Sequence, residues 1–280
     1  MMKMAKTNNK RKVYWTHALG LAVLLLVLLS CRSKEEPVSP PAPGPSAEPS
    51  VNSISEEERA EGWVLLFDGR TLDGWRGIGR DEIPAGHWIV EEDAIKKVSS
   101  GDVPRQADGQ PIQGGDLMTV RTYGDFELRL EWRINPGGNS GIKYNVSEEM
   151  SISVPPQQAA IGFEYQIIDD SVNPDALVGP NRSAAALYDL IAPQNKTLKS
   201  VGEWNEARVV FRGRHGEHWL NGQKVLEFDL GTPEMNGFIA ASKYRDIPGF
   251  GEKRRGHIVL QDHGDAVWFR NIKVREDRRL

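Results

Sequence analysis

Phe126-Glu127-Leu128-Arg129-Leu130-Glu131-Trp132-Arg133-Ile134 alternates apolar and charged side chains without a break. A period of two puts Phe126, Leu128, Leu130, Trp132 and Ile134 on one face of an extended chain and the four charges on the other, so this stretch predicts a strand that packs on one side and meets water on the other. Glu206 to Arg212 and His218 to Leu220 also read as strands. Asn221-Gly222, between His218-Trp219-Leu220 and Gln223-Lys224-Val225, is a pair that favours a two-residue hairpin turn. Val64 to Phe67, His87 to Val90, Gly162 to Ile168, Phe238 to Ala241, His257 to Gln261 and Val267 to Val274 add short extended segments separated by Gly, Pro, Asp and Asn. Ser55-Glu56-Glu57-Glu58 opens a short helix ending near Gly62, with serine as cap and the acids at its positive end. Beyond it, about 220 residues without a long amphipathic helix or an internal repeat suit one all-β domain, most economically a two-sheet antiparallel sandwich. Periodicity alone leaves a barrel open.

Upstream, the chain reads as targeting sequence. Lys3, Lys6, Lys10, Arg11 and Lys12 precede an apolar run from Ala18 to Leu29, short for a permanent membrane span and suited to a signal peptide over 1–30. Leu28-Leu29-Ser30-Cys31 resembles a lipobox, which makes Cys31, the single cysteine, the expected lipidation site. Residues 31–54 follow as a tether with six prolines between Pro37 and Pro49, leaving 55–280 as the folded domain. The expected location is the cell envelope, with attachment to the membrane through the lipid alone. Lys34-Glu35-Glu36 looks like an acidic surface-export tag, so surface display and periplasmic retention both stay open. Loss of the leader leaves 30 basic against 39 acidic residues, a formal charge of −9. That charge, with no basic run beyond pairs such as those in Lys253-Arg254-Arg255, disfavours nucleic acid as a partner. Asn145, Asn181 and Asn195 begin glycosylation triplets, against which the lipobox argues.

A set of fragments then carries a family resemblance. They are Gly62-Trp63-Val64-Leu65-Leu66-Phe67-Asp68-Gly69 with Leu72-Asp73-Gly74-Trp75, Tyr123-Gly124-Asp125-Phe126-Glu127-Leu128, and Asn139-Ser140-Gly141-Ile142-Lys143-Tyr144. Gly162-Phe163-Glu164-Tyr165-Gln166-Ile167-Ile168-Asp169-Asp170, Gly202-Glu203-Trp204-Asn205, Leu220-Asn221-Gly222, Leu260-Gln261-Asp262-His263-Gly264 and Phe269-Arg270-Asn271-Ile272 follow. In this order and spacing, over nearly all of Glu57 to Arg275, the sequence resembles the 3-keto-disaccharide hydrolase domain family. The resemblance implies a jelly-roll sandwich of the concanavalin A-like lectin and glucanase type, a fold that hosts enzymes and lectins alike.

The implied substrate is a 3-keto-glycoside, whose ketone acidifies the C2 proton. A base removes that proton, an enolate forms, the C1 aglycone leaves, and water adds to the product. Such a site needs a base, cationic or hydrogen-bonding stabilisation of the enolate, and a donor for the leaving oxygen. The implied partners are the carbohydrate and an upstream sugar 3-oxidoreductase.

His263 is the first candidate base, because imidazole titrates near neutral pH, and Glu164 competes with it. Lys143 is the candidate for stabilising the enolate. Extended geometry puts Asn139, Gly141 and Lys143 on one face, Glu164 beside Gln166, and Gln261 beside His263, and these faces converge if the strands are neighbours. Tyr188, Arg270 and Lys243 are further candidates for sugar binding, and Asn205 invites a similar reading. No cofactor is required by the sequence. A divalent metal ion is the open possibility, with Glu164, His263 and Asp169 as candidate ligands, though no HExxH, CxxC or EF-hand spacing supports it. Each candidate has a plainer alternative: Asn139-Ser140-Gly141 as a turn, Lys143 as a solvated lysine, Glu164 as a surface charge facing Arg182 or Lys199, His263 as a turn residue bonding a carbonyl, Arg270 as a tie between strands. Trp63, Trp75, Trp88, Trp132 and Trp204 read as core more readily than as sugar platforms. The segment Asn145 to Ala160 reads as a loop walling the cleft. A non-catalytic carbohydrate-binding module remains the rival function. An ordinary glycosidase is another, and it needs two partnered carboxylates among Glu164, Asp169, Asp170 and Glu203.

Overall fold

The structure, a computed structural model, describes residues 50–103, 115–154 and 159–277. The leader, Cys31 and all but the last residues of the tether lie outside these, and the described residues belong to one unit, Ala47–Leu280. In chain order the strands are β1 (Val64–Leu65), β2 (Trp75–Gly77), β3 (Trp88–Glu91), β4 (Ala94–Lys97), β5 (Leu117–Thr119), β6 (Phe126–Ile134), β7 (Asn139–Val146), β8 (Phe163–Ile168), β9 (Asn205–Arg212), β10 (His215–Leu220), β11 (Gln223–Asp229), β12 (His257–Leu260) and β13 (Val267–Glu276). Three short α-helices, α1 (Glu56–Ala60), α2 (Glu148–Ser153) and α3 (Pro233–Ala241), accompany them. Among the described residues, no helix is long and apolar enough to cross a membrane.

The strands form two antiparallel sheets packed as a jelly-roll sandwich. The larger sheet runs β11-β10-β9-β6-β13-β4-β3, with β1 also on β13, and the smaller runs β2-β5-β12-β7-β8. In β6 the apolar set Phe126, Leu128, Leu130, Trp132 and Ile134 is buried in the core, as its alternation requires. Each such side chain stabilises the fold by roughly 1.5–3 kcal/mol. The opposing layer is Leu117, Ile142, Tyr144, Phe163, Tyr165, Ile167 and Leu260. Asn221 and Gly222 both take positive φ, 49° and 81°, as the hairpin between β10 and β11 demands. Ser55 and Glu58 cap α1 reciprocally.

Three expectations are corrected. The charged face of β6 is not wholly in water: Glu127 is buried, with Arg129 at 2.7 Å, Arg208 at 2.8 Å and Arg275 at 2.9 Å standing in for solvent. Burial alone would raise its pKa, but the guanidinium groups outweigh that and hold it below the usual carboxylate range. Phe238 to Ala241 is the end of α3 and not a strand. The helix signal lies upstream of that apolar run, where Thr232 accepts from the Met235 amide and Pro233 occupies the first turn. Asn145 to Ala160 is not all loop, because Ser147 caps α2 and Glu148 is held by Arg76 at 2.5 and 2.7 Å.

His218 of the larger sheet lies in the core, fully buried, where its Nδ1 is 3.0 Å from the Ala185 carbonyl and its Nε2 is 2.9 Å from the Tyr144 hydroxyl. A carbonyl can only accept, so Nδ1 carries the proton and Nε2 accepts from Tyr144. Desolvation pushes the His218 pKa from 6.5 down to about 4. The unfolded chain therefore binds a proton below pH 6.5 that the folded chain refuses. The His218 contribution is complete above that pH and is lost as the pH falls towards 4, up to about 3 kcal/mol. Urea-unfolding midpoints of the wild type should fall more steeply over this interval than those of His218→Gln, which keeps a polar side chain but does not titrate. Parallel curves would mean that His218 is not held neutral in the core.

Candidate functional site

Strand order decides the site. Antiparallel pairing sets Lys143 of β7 opposite Glu164 of β8 on one side and Val259 of β12 on the other. Two pairs along, Gly141 faces Gln166, and the Gln261 amide donates to the Gly141 carbonyl at 2.9 Å. Directly opposed residues share a face. Asn139, Gly141, Lys143, Glu164, Gln166 and Gln261 thus line the outer face of the smaller sheet, while Ile142, Tyr144 and Tyr165 point into the core. Asn139-Ser140-Gly141 is strand, not turn.

Glu164 is the centre of this face. It is 2% exposed, and its Oε2 makes no hydrogen bond, with the Lys143 ammonium 3.5 Å away. Lys143 donates instead to the Ala160 carbonyl at 3.1 Å. A Cβ on Gly141 would stand 2.6 Å from Glu164 Oε1, so the carboxylate can fold across β7 only because residue 141 has no side chain. Beside them Asp116 accepts from the amides of Asp262 at 2.8 Å and Ala160 at 3.0 Å. Burial pushes the Asp116 pKa up, and the Lys143 charge opposes it. Gln261 Oε1 and both polar atoms of the Asn145 side chain are also buried without a hydrogen-bond partner. Buried polar groups are nearly always paired, so several unpaired ones on these strands mark a place for a polar ligand. Asn139 and Gln166 are more occupied: Asn139 Oδ1 accepts from Gln166 Nε2 at 3.5 Å, and Gln166 Oε1 accepts from the Ile167 amide at 3.1 Å.

The chain after β8 turns back along that strand and brings two further groups. The Tyr188 amide donates to the Glu164 carbonyl at 3.0 Å, and the Tyr188 hydroxyl donates to Asp175 at 2.8 Å. Desolvation and then the Asp175 carboxylate raise the Tyr188 pKa, so this phenol stays protonated. Arg182 holds Asp175 and Asp189, and Asp189 accepts from the Lys243 amide at 2.8 Å. The Lys243 ammonium lies 4.0 Å from the centre of the Tyr188 ring and 5.1 Å from that of Tyr244. Desolvation by the surrounding protein lowers the Lys243 pKa; Glu164 opposes this, and the neighbouring Lys143 charge adds to it.

Other residues expected at the site are placed elsewhere. His263 is exposed on the segment after β12 and has no hydrogen bond or ion pair among the described residues. Arg270 sits on the outer face of the larger sheet, bonded to Glu131 at 2.6 Å and stacked 4.0 Å from the Trp204 ring, which makes it a tie between strands. Asn205 is a loop cap, its Oδ1 accepting from the Lys199 amide at 2.9 Å. Trp63, Trp75, Trp88 and Trp132 are buried. The metal candidates Glu164, His263 and Asp169 are not assembled, because Asp169 spends its oxygens on the Gly137 amide and on Ser171. Among the described residues, the His/Cys/Asp/Glu group within mutual ligand distance is His215, Glu217 and Glu227, where Lys224 already pairs with both acids.

Reasoning from sequence missed Asp116 and a buried set next to the site. His87 Nδ1 is 2.6 Å from Asp262 Oδ2, and the Lys97 ammonium is 3.0 Å from Oδ1. This set links β4 of the larger sheet to the end of β12 and fixes where Gln261 projects. Asp262 lies inside the Gln261-Asp262-His263-Gly264 fragment, but nothing in that fragment distinguishes the half-buried, paired acid from the exposed imidazole.

A profile of the 3-keto-alpha-glucoside-1,2-lyase-like domain matches residues 62–275. A Bacteroides thetaiotaomicron protein named 3-keto-disaccharide hydrolase is 36% identical over 250 residues, covering 80% of this chain and 82% of its own. Two solved structures from Parabacteroides distasonis ATCC 8503, each provisionally named a glycosyl hydrolase, share the fold. The first has a TM-score of 0.70 at 30% identity over 82% of this chain and 100% of its own, the second 0.54 at 27% over 77% and 99%. With the match spanning both sheets and every strand that positions Glu164 and Lys143, the chain belongs to the family of 3-keto-alpha-glucoside-1,2-lyase-like domains.

Proposed function

We propose that this protein cleaves 3-keto-glycosides, 3-keto-disaccharides among them, by removing the C2 proton, expelling the C1 aglycone and adding water. The observation that carries this reading is the Glu164 carboxylate, almost fully buried, with one oxygen lacking a hydrogen bond and with Lys143 beside it. A carboxylate left in that condition is a base waiting for a proton, and the relative's name supplies the class of substrate. Glu164 takes the C2 proton. The Lys143 charge stabilises the enolate oxygen as it develops, which is worth most in a site shielded from water, and Lys243 stands at the same end of the site. Protonated Glu164 then returns its proton to the departing oxygen. Asn139, Gln166, Gln261 and Tyr188 present amide and hydroxyl groups to the remaining sugar hydroxyls. His263, first in line from the sequence, is assigned no chemical step, because it is exposed and lacks partners. An upstream sugar 3-oxidoreductase supplies the ketone.

The same proposal places the domain in the cell envelope, lipid-anchored through Cys31. Cys31→Ser should move the protein from the detergent-extracted membrane fraction to the soluble one, and unchanged partition would remove the anchor.

On a 3-keto-glucoside, Glu164→Gln should lower aglycone release by about 10²–10⁴-fold, the usual worth of a positioned base. His263→Ala should stay near wild type, and the unoxidised parent glucoside should not react. Gly141→Ala should act like Glu164→Gln while its unfolding midpoint moves little, since the new methyl displaces the carboxylate tip. Loss in His263→Ala with Glu164→Gln unaffected would reverse the assignment, and sugar binding without release from either substrate would favour a carbohydrate-binding module.

A further inference from the structure

The two lysines near Glu164 are not equivalent. Lys143 is buried, donates to the Ala160 carbonyl and stands beside the carboxylate, so both neighbours occupy its Nζ. Lys243 is exposed, and its Nζ makes no hydrogen bond among the described residues. Its side chain lies against the faces of Tyr188 and Tyr244, and Tyr244 is itself stacked on Phe250 with ring centres 4.0 Å apart. The ring faces attract a cation, but only weakly where water reaches it. A neighbouring cation, here Lys143, is one of the settings in which a lysine amine becomes a nucleophile towards carbonyl carbon. Tyr188, the residue under this amine, is pinned by its backbone to Glu164, and the Glu164 charge acts on Lys243, which puts amine and carboxylate in one neighbourhood.

We propose that Lys243 condenses with the C3 ketone of the substrate, so that elimination proceeds through an iminium ion bound to the protein. This rests on the proposed cleavage of 3-keto-glycosides. The neutral Nζ attacks C3, forming the C–N bond; the carbonyl oxygen takes one proton from the amine and one from solvent and leaves as water, giving the iminium C3=N⁺–H. Glu164 removes the C2 proton, and the C–H electron pair forms C2=C3 as the iminium electrons return to nitrogen. The nitrogen lone pair then restores C3=N⁺, the C2=C3 pair becomes C1=C2, and the C1 oxygen departs with the proton from Glu164. Water hydrolyses the iminium, returning the ketone, the free amine and the proton taken up in the first step. Addition of a second water across C1=C2 completes net hydrolysis. The depressed Lys243 pKa increases the fraction of free amine available for the first step. A cationic nitrogen draws electrons from C2 more strongly than a carbonyl oxygen does, which is the chemical gain.

The test incubates the full chain with a 3-keto-glucoside and sodium cyanoborohydride, then maps modified lysines by peptide mass spectrometry, with aglycone release followed in parallel samples lacking the reductant. The expected result is a reduced sugar adduct on Lys243, absent with the unoxidised glucoside and in Lys243→Arg. That variant keeps the charge but cannot form the imine, and its aglycone release should fall to background. Release by wild type without an adduct, adducts spread equally over surface lysines, or near-normal release by Lys243→Arg would each overturn the imine while leaving the elimination reading intact. An adduct on Lys243 without any aglycone release would overturn the elimination reading and with it the route through the iminium.

Discussion

The antiparallel register of β7 between β8 and β12 is the constraint on which the site depends. It places Lys143 against Glu164 and Gly141 against Gln166. A slip of one residue would turn Tyr144 and Ile142 out of the core and drive the lysine into it. The buried aromatics Tyr144, Phe163 and Tyr165 make that slip expensive, so the same packing that stabilises the sandwich also fixes the chemistry on its outer face.

The contrast between two buried carboxylates separates support from function. Glu127 and Glu164 are equally hidden, at 1% and 2% exposure. Glu127 is enclosed by arginines that satisfy its oxygens and hold its pKa down, and it ties β6 to β9 and β13. Glu164 keeps an oxygen without a hydrogen bond, next to a lysine whose own bond goes to a carbonyl. Removing a charge from water without full compensation is costly, so a fold retains such a group where a ligand completes it.

Histidines divide in the same way. His218 is neutral in the core, with both ring nitrogens engaged, and links the sheets through Tyr144. His87 shares Asp262 with Lys97 at the edge of the sandwich. His263, whose position after a strand looks catalytic, stands in solvent. Proximity in sequence to a strand end says little about which way a ring points once the chain leaves the sheet.

Much of the architecture was legible locally. The alternation in Phe126–Ile134, the Asn221-Gly222 turn and the capping box at Ser55 each act over a few residues, so the sequence by itself determined them, together with the outward set on β7 and the pairing of Glu164 with Gln166 on one face of β8. The helix at Pro233–Ala241 was legible too, but in its cap at Thr232 and not in the apolar run that resembled a strand. Tertiary structure alone decided that β7 lies between β8 and β12, that Lys243 arrives over Tyr188 from a distant loop, that Arg270 faces away from the site, and that Asp262 is held by His87 and Lys97 while His263 stands exposed. The physical reason is that period and turn chemistry fix which face a residue takes within its own strand. Which strands become neighbours is set by how both sheets bury their apolar faces together, and no segment carries that information alone.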